Sequence, residues 1–405
     1  MTLNNNFFKD SVLLKNSSKN KYKFFSKKFD QIYLNLKSNI KNFKKTENVL
    51  NDNFEFNFKI NDLKKFKNFR TIALVGMGGS ILGAEAIYKF FQKKIKKKIY
   101  FFNNLDENKL FEFKKKENTS KVLFILISKS GNTVETLSNI FGLNIIKKKS
   151  KNIIVISEKK NNALYLMSKN LGLFYIEHKN YIGGRYSVLS EVGIVPAYFM
   201  GINIFKLRSK IRDCLKNENK IFLKNSTLKL ATLIKSKKFN NLIFLNYFPE
   251  LEKFLFWCQQ LMAESLGKKN IGFLPVISNA PKDHHSLLQL YLDGPKDKIF
   301  NIFSFEKKSK NKININKKIG INSFLNKKKI SEIKNAQKKA LILSFKKKNI
   351  SFREFKINAI SEESLGELFS YFIIETIIIA RLLNLDPFNQ PAVEQVKVYT
   401  KKFLT

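Results

Sequence analysis

Short uninterrupted apolar runs recur along the chain. Each is followed by a glycine-rich or polar turn, then by apolar residues at three- and four-residue spacing. TIALV (71–75) runs into GMGGS (76–80), and ILGAEAIYKFF (81–91) continues it in helical spacing. KVLFILIS (121–128) is apolar without alternation, as a strand covered on both faces would be. KNIIVIS (151–157) repeats the run. After about residue 220 the pattern restarts: NLIFLN (241–246), a helical pattern over roughly 249–267, GFLPVIS (272–278), a helical HSLLQLYL (285–292), then KIFNIFSF (298–305). This alternation predicts parallel sheets with helices on both sides.

A long helix is predicted over 361–384, with Ser361 as N-cap and glutamates in its first turn. The last helix should start near Pro391, a favoured first-turn residue. Residues 1–60 are polar and rich in Phe and Lys, with weak helical periodicity, and read as a helical extension. The expected organisation is therefore α/β: an N-terminal extension (1–60), two tandem domains (61–215 and 216–385), and a C-terminal helix (386–405). YFIIETIIIARLLNL (371–385) is interrupted by Glu375 and Arg381, so it reads as a buried helix rather than a membrane span. MTLNNNFFKDSVLL lacks the pattern of a secretory signal, and a cytoplasmic protein is expected.

The chain of 405 residues is 44% hydrophobic, enough for a sizeable core, and carries a formal charge of +43. Such a charge raises nucleic-acid or membrane binding as a reading. The kind of base argues against it: six of the 75 basic residues are Arg, and specific readers of bases and phosphates lean on the Arg fork. Lysine here accompanies heavy use of Asn, Ile and Phe along the whole chain, as codon drift in a genome poor in G and C would give. The KKIKKK run (93–98) and the Lys/Asn-rich stretch 307–329 read as solvated loops and helix edges. Two cysteines, Cys214 and Cys258, form no disulfide framework or CxxC pair. Cys and His do not cluster at ligand spacing, so no metal is expected.

Two loops carry the first chemical signal. GMGGSILG (76–83) places glycines between strand and helix, where the backbone can pass close to a ligand, and Ser80 adds a hydroxyl. It does not follow the GxGxxG dinucleotide pattern. SKSGNTVET (128–136) offers the hydroxyls of Ser128, Ser130 and Thr133, the ammonium of Lys129, and Gly131 for the turn, which together suit a phosphomonoester. The bland alternative is a helix capped by Thr133 or Asn132. Two such loops at one edge of a parallel sheet favour the phosphate.

Together these loops resemble the sugar isomerase domain. GGRYS (183–187), ESLGK (264–268), the HSLLQ run from His285 and QPAVEQVK (390–397) then follow in the order seen in the glucose-6-phosphate isomerase family. The resemblance covers roughly residues 65–405. It implies two tandem sugar isomerase domains and interconversion of an aldose phosphate and a ketose phosphate without cofactor or metal. It places the substrate phosphate on Ser128, Lys129, Ser130 and Thr133, with Ser80 and the Gly79 backbone on the sugar side. Asn132 stands where a hydroxyl residue is common in the family.

For the proton transfer between C2 and C1, Glu264 resembles the family's base. Gln260, one helical turn earlier, and Gln390 are placed to hold substrate oxygens. Arg185 matches the family's cation beside the enediolate. His285 and Lys397 match the residues assigned to ring opening, a step suited to a group titrating near neutrality. In the family this His comes from the partner subunit, which implies a homodimer. His284 has no counterpart and reads as structural. Ala392 and Val396 stand where the family usually has Gly, and the chain is shorter than most members. A related isomerase of another hexose phosphate would share the phosphate loop; a non-catalytic sugar-phosphate sensor would keep it and lose Arg185, Glu264, His285 and Lys397. Neither nucleic-acid binding as the main function nor membrane association is expected.

Overall fold

A computed structural model describes residues 8–11, 19–305, 311–315 and 324–404. Ten strands among them build two sheets: β1 (Phe8–Ser11), β2 (Thr71–Val75), β3 (Lys98–Phe102), β4 (Val122–Ile127), β5 (Ile153–Ser157), β6 (Phe174–Glu177), β7 (Asn241–Asn246), β8 (Leu274–Asn279), β9 (Lys298–Phe305) and β10 (Phe352–Ile357). The first sheet has the order β3-β2-β4-β5-β6, with every neighbouring pair parallel. In the second, ordered β1-β10-β9-β7-β8, only the edge strand β1 runs antiparallel.

The apolar runs become strands because each has two faces to cover. In β4, Leu123, Ile125 and Ile127 face a central core, while Val122, Phe124 and Leu126 face a second core on the other side of the sheet. In β7, Leu242 and Phe244 join that same central core, and Ile243 and Leu245 a third. The central core is thus shared by both sheets. Between them lie the helices Leu82–Phe91 and Glu252–Leu266, which pack on each other and make the two halves one body.

The predicted strands at 71–75, 121–128, 151–157, 241–246, 272–278 and 298–305 appear within a residue or two of those bounds. The periodicity does not single out β3, β6 and β10. β3 begins at Lys98, the last residue of KKIKKK, so its apolar remainder is masked by a charge run. The stretch 1–60 contains the helix Lys19–Ile40, but also β1, a strand in place of the expected helix. The solvated-loop reading of 307–329 falls partly outside the described residues, and the stretch 1–14 read for a secretory signal falls mostly outside them.

Ser361 caps the helix Glu362–Leu382, its hydroxyl accepting from Ser364 N. Glu375 on that helix is fully buried against Arg353 of β10, at 2.6 Å. Arg353 also donates to Asn301 Oδ1 of β9 and to Ser226, so the buried ion pair is hydrogen-bonded within the core, while Asn301 Nδ2 has no partner among the described residues. Among the described residues no helix is long and apolar enough to cross a membrane, and both cysteines are buried and free.

Because β2, β4 and β5 are parallel neighbours, the segments leaving their C-terminal ends converge at one sheet edge: 76–80, 128–133 and 158–160.

Candidate active site

After β4 the chain turns sharply at Gly131, whose φ of +68° is a left-handed conformation. A Cβ there would lie 1.8 Å from Asn162 Oδ1, so the turn needs Gly twice over. Ser128 Oγ accepts from Gly131 N and lies 2.9 Å from Thr133 Oγ1. Ser130 Oγ lies 3.4 Å from the same atom. Thr133 stands at the N-cap of the helix Val134–Leu143, yet its hydroxyl makes no capping bond. It turns to the serines, leaving first-turn N–H groups and the positive helix end facing the loop. Lys129 Nζ donates to Asn180 O at 2.7 Å and lies 3.5 Å from Glu158 Oε1. Burial lowers the Lys129 pKa, with Glu158 opposing the shift.

The GMGGS turn serves close approach. A Cβ on Gly79 would fall 2.3 Å from Gly184 C and 2.5 Å from Arg185 N, so Gly is required for this loop to touch GGRYS. This contact brings the first sheet's edge against the residue that organises the second half of the site.

Arg185 is 3% exposed and engages five acceptors. Nε donates to Ser265 Oγ at 2.9 Å; Nη1 to Glu264 Oε2 at 3.0 Å and Gln390 Oε1 at 2.7 Å; Nη2 to Pro387 O at 2.6 Å and Asn389 O at 3.0 Å. The five N–H groups of a guanidinium are thus all committed. Glu264 receives a second donor: Gln260 Nε2 reaches its Oε1 at 2.9 Å, as the four-residue spacing predicts. Gln260 Oε1 is buried with no partner among the described residues, leaving an acceptor for a ligand hydroxyl.

These groups line a cavity of about 290 Å³. Lys129, Ser130 and Thr133 bring the SKSGNT loop to its wall. Gly79, Ser80, Arg185, Gln260, Glu264, Gln390 and Lys397 complete the wall. Ser128 is 2% exposed and shapes the loop from behind without lining the cavity. His285 is exposed on the short turn Lys282–His285 and is not brought to the cavity by this chain. Its neighbour His284 sits 2.7 Å from Tyr247 Oη, a contact that fits the structural reading. Lys397 reaches the cavity from the helix Glu394–Leu404, where it pairs with Glu394 at 2.7 Å.

Sequence reasoning missed several participants. Tyr186 and Ser265 lie inside the quoted motifs; their hydroxyls are 2.8 Å apart, and Tyr186 also donates to Pro387 O. Glu158 and Lys160 add a paired acid and base to the phosphate end, and no local motif marked them. Lys268, the last residue of ESLGK, grips the 386–389 turn.

The arrangement holds a loop of hydroxyls and an ammonium, suited to an anion, in one cavity with a partly buried carboxylate paired with a fixed guanidinium. That is equipment for removing a proton from a phosphorylated, oxygen-rich substrate and stabilising the anion formed. A phosphoglucose isomerase family model matches residues 40–405. A glucose-6-phosphate isomerase of Methanocaldococcus jannaschii is 31% identical over 349 residues, spanning 82% of this chain and 84% of that one. One of Campylobacter jejuni is 30% identical over 375 residues, spanning 88% and 89%. Among solved structures, a hypothetical protein of Thermus thermophilus superposes with a TM-score of 0.84 at 22% identity, covering 98% of this chain and all of that one, a likeness of fold.

Proposed function

Since the chain belongs to the phosphoglucose isomerase family and interconverts glucose 6-phosphate and fructose 6-phosphate, we propose that it does so with Glu264 as the base and Arg185 as its electrostatic partner. The observation that carries this assignment is the Arg185–Glu264 pair at 3.0 Å, lining the same cavity as Lys129, Ser130 and Thr133 of the SKSGNT loop.

Ser130, Thr133 and Lys129 hold the phosphate, supported from behind by Ser128. Ser80, the Gly79 backbone, Gln260 and Gln390 hold sugar oxygens. Lys397 and His285 open the ring by moving a proton between the ring oxygen and the C1 hydroxyl. Glu264 then takes the C2 proton of the open aldose and returns it to C1. In that step negative charge moves from Glu264 to the substrate enediolate. A guanidinium beside both sites need not be replaced or reoriented as the charge moves, which is the preorganised condition for lowering the barrier. Because His285 lies away from the cavity of its own chain, the reading includes a homodimer in which it serves the partner's site. Cytoplasmic placement belongs to the same reading, and the positive field of the chain favours encounter with an anionic substrate.

The test is conversion of fructose 6-phosphate to glucose 6-phosphate by pure protein with chelator present. Glu264→Gln should lower kcat by ~10²- to 10⁴-fold, as for removal of a positioned base. Mixed subunits carrying Glu264→Gln and His285→Ala should regain part of the activity. A Glu264→Gln variant within a few-fold of wild type would remove Glu264 from the role, and no gain on mixing would remove His285 from the partner's site.

A further inference from the structure

The helix Glu394–Leu404 brings Lys397 to the cavity, yet none of its residues is buried. Eleven residues are too few to hold a helix in place by themselves in water. Its placement is set by the segment before it, the 386–390 turn, which also carries Gln390. Two cations grip that turn. Arg185 takes Pro387 O and Asn389 O. Lys268 Nζ takes Asp386 O, Asn389 O at 2.7 Å and Asn389 Oδ1 at 2.9 Å, so all three ammonium hydrogens have acceptors within four consecutive residues. Asn389 O is shared by both cations.

Lys268 is itself fixed. The helix carrying Glu264 ends at Gly267, whose N–H donates to Ala263 O at 2.9 Å. Lys268 and Ile271 then exchange two backbone hydrogen bonds, each 3.1 Å. Gly272, at φ +135°, closes this turn so tightly that a Cβ on it would lie 2.9 Å from Gly267 Cα. One short turn therefore ties the end of the Glu264 helix to the clamp on Gln390 and Lys397.

We propose that Lys268 is a positioning residue for the acid/base half of the reaction: it fixes the 386–390 turn so that Gln390 meets Arg185 and Lys397 reaches the cavity that Glu264 lines. This rests on the isomerase reading above. Lys268 touches neither the phosphate loop nor its supports, so it acts on chemistry and leaves phosphate binding alone. Burial lowers its pKa, with nearby Arg185 adding to the shift, in keeping with a cation held for structure inside a cationic site.

The experiment compares Lys268→Met and Lys268→Arg with wild type in the full chain. Lys268→Met should lose about tenfold or more in kcat, as misplacing catalytic groups does, while the inhibition constant of inorganic phosphate stays within about twofold. Lys268→Arg, whose fork can reach the same oxygens, should recover most of the loss. Hydrogen exchange at the Phe388–Gln390 amides should speed up about tenfold in Lys268→Met, reporting release of the turn independently of turnover. The proposal is overturned if Lys268→Met keeps kcat within about twofold of wild type, or if kcat and phosphate affinity fall together, the mark of general loosening. Unchanged exchange at 388–390 overturns it whatever the activity. An inactive wild type would instead count against the isomerase reading, and exchange would still decide the clamp.

Discussion

The SKSGNT loop and the Arg185–Glu264 cluster, which line one cavity, are built differently. The SKSGNT side centres on one continuous loop, 128–133, in which each hydroxyl contacts another within five residues, with Glu158 and Lys160 beside it. The acid/base end is assembled from GGRYS, ESLGK and the 387–390 turn, with hydrogen bonds that join Arg185 to partners 79 to 205 residues away. The supports of the SKSGNT loop, Glu158, Asn162, Ala163 and Asn180, all follow β5 and β6 of the same sheet. The acid/base end exists only once both sheets share the central core and the helices Leu82–Phe91 and Glu252–Leu266 are packed. The SKSGNT loop is therefore built within one half of the protein, and the proposed acid/base cluster between both halves.

That contrast is sharpest where Glu264 is changed, because its loss should remove turnover by the ~10²- to 10⁴-fold given above and leave phosphate inhibition as it was. Next in size is Arg185→Lys. An ammonium cannot serve five acceptors in a planar fork, so kcat should fall by ~10²–10³. Unlike Glu264→Gln, this variant should also melt several degrees lower, since the buried carbonyl of Pro387 and the carbonyl of Asn389 each lose a donor. If its melting temperature is unchanged while kcat collapses, the dependence of the acid/base end on long-range assembly is weaker than the hydrogen bonds imply.

At the phosphate end the effects should be smaller and of the other kind. Thr133→Ala removes one hydrogen bond to a charged group, worth about tenfold in affinity. KM for fructose 6-phosphate should rise by that amount with kcat within about twofold, and a kcat loss as large as that of Arg185→Lys would break the division between the two ends. The smallest effect is in the pH profile. Burial holds the Lys129 pKa below its ordinary value, so its ammonium is lost at lower pH than that of an exposed lysine, about 10.4. On raising pH, kcat/KM should fall early along this limb, since that ratio reports the free enzyme. In Lys129→Arg the limb should move out of range.

Much of the fold was written in short-range pattern. Uninterrupted apolar runs such as KVLFILIS become strands because both faces of a parallel sheet are covered, and GMGGS and SKSGNT fall where parallel strands must turn into helices. β3 stayed hidden behind lysines at the sheet's edge, of which Lys98, inside the strand, pairs with the distant Glu117. β1 stayed hidden because its pairing partner, β10, is more than 340 residues away.

The residues of the candidate site were likewise legible one by one: Arg185 in GGRYS, Glu264 in ESLGK, Lys397 in the last helix. Their surroundings were not, because a side chain's environment is set by what folds against it. Glu375 reads as a charge that interrupts an apolar helix, and only the fold supplies Arg353 to neutralise it inside the core. The sequence by itself determined the two α/β halves, the SKSGNT loop and the candidate reacting groups, all carried by residues within one turn or one strand of each other. The tertiary structure alone decided that Arg185 commits every donor at once, that Lys268 grips the turn bearing Gln390, and that His285 lies outside the cavity of its own chain. Those facts depend on distances between segments far apart in the chain, which only packing into a common core can fix.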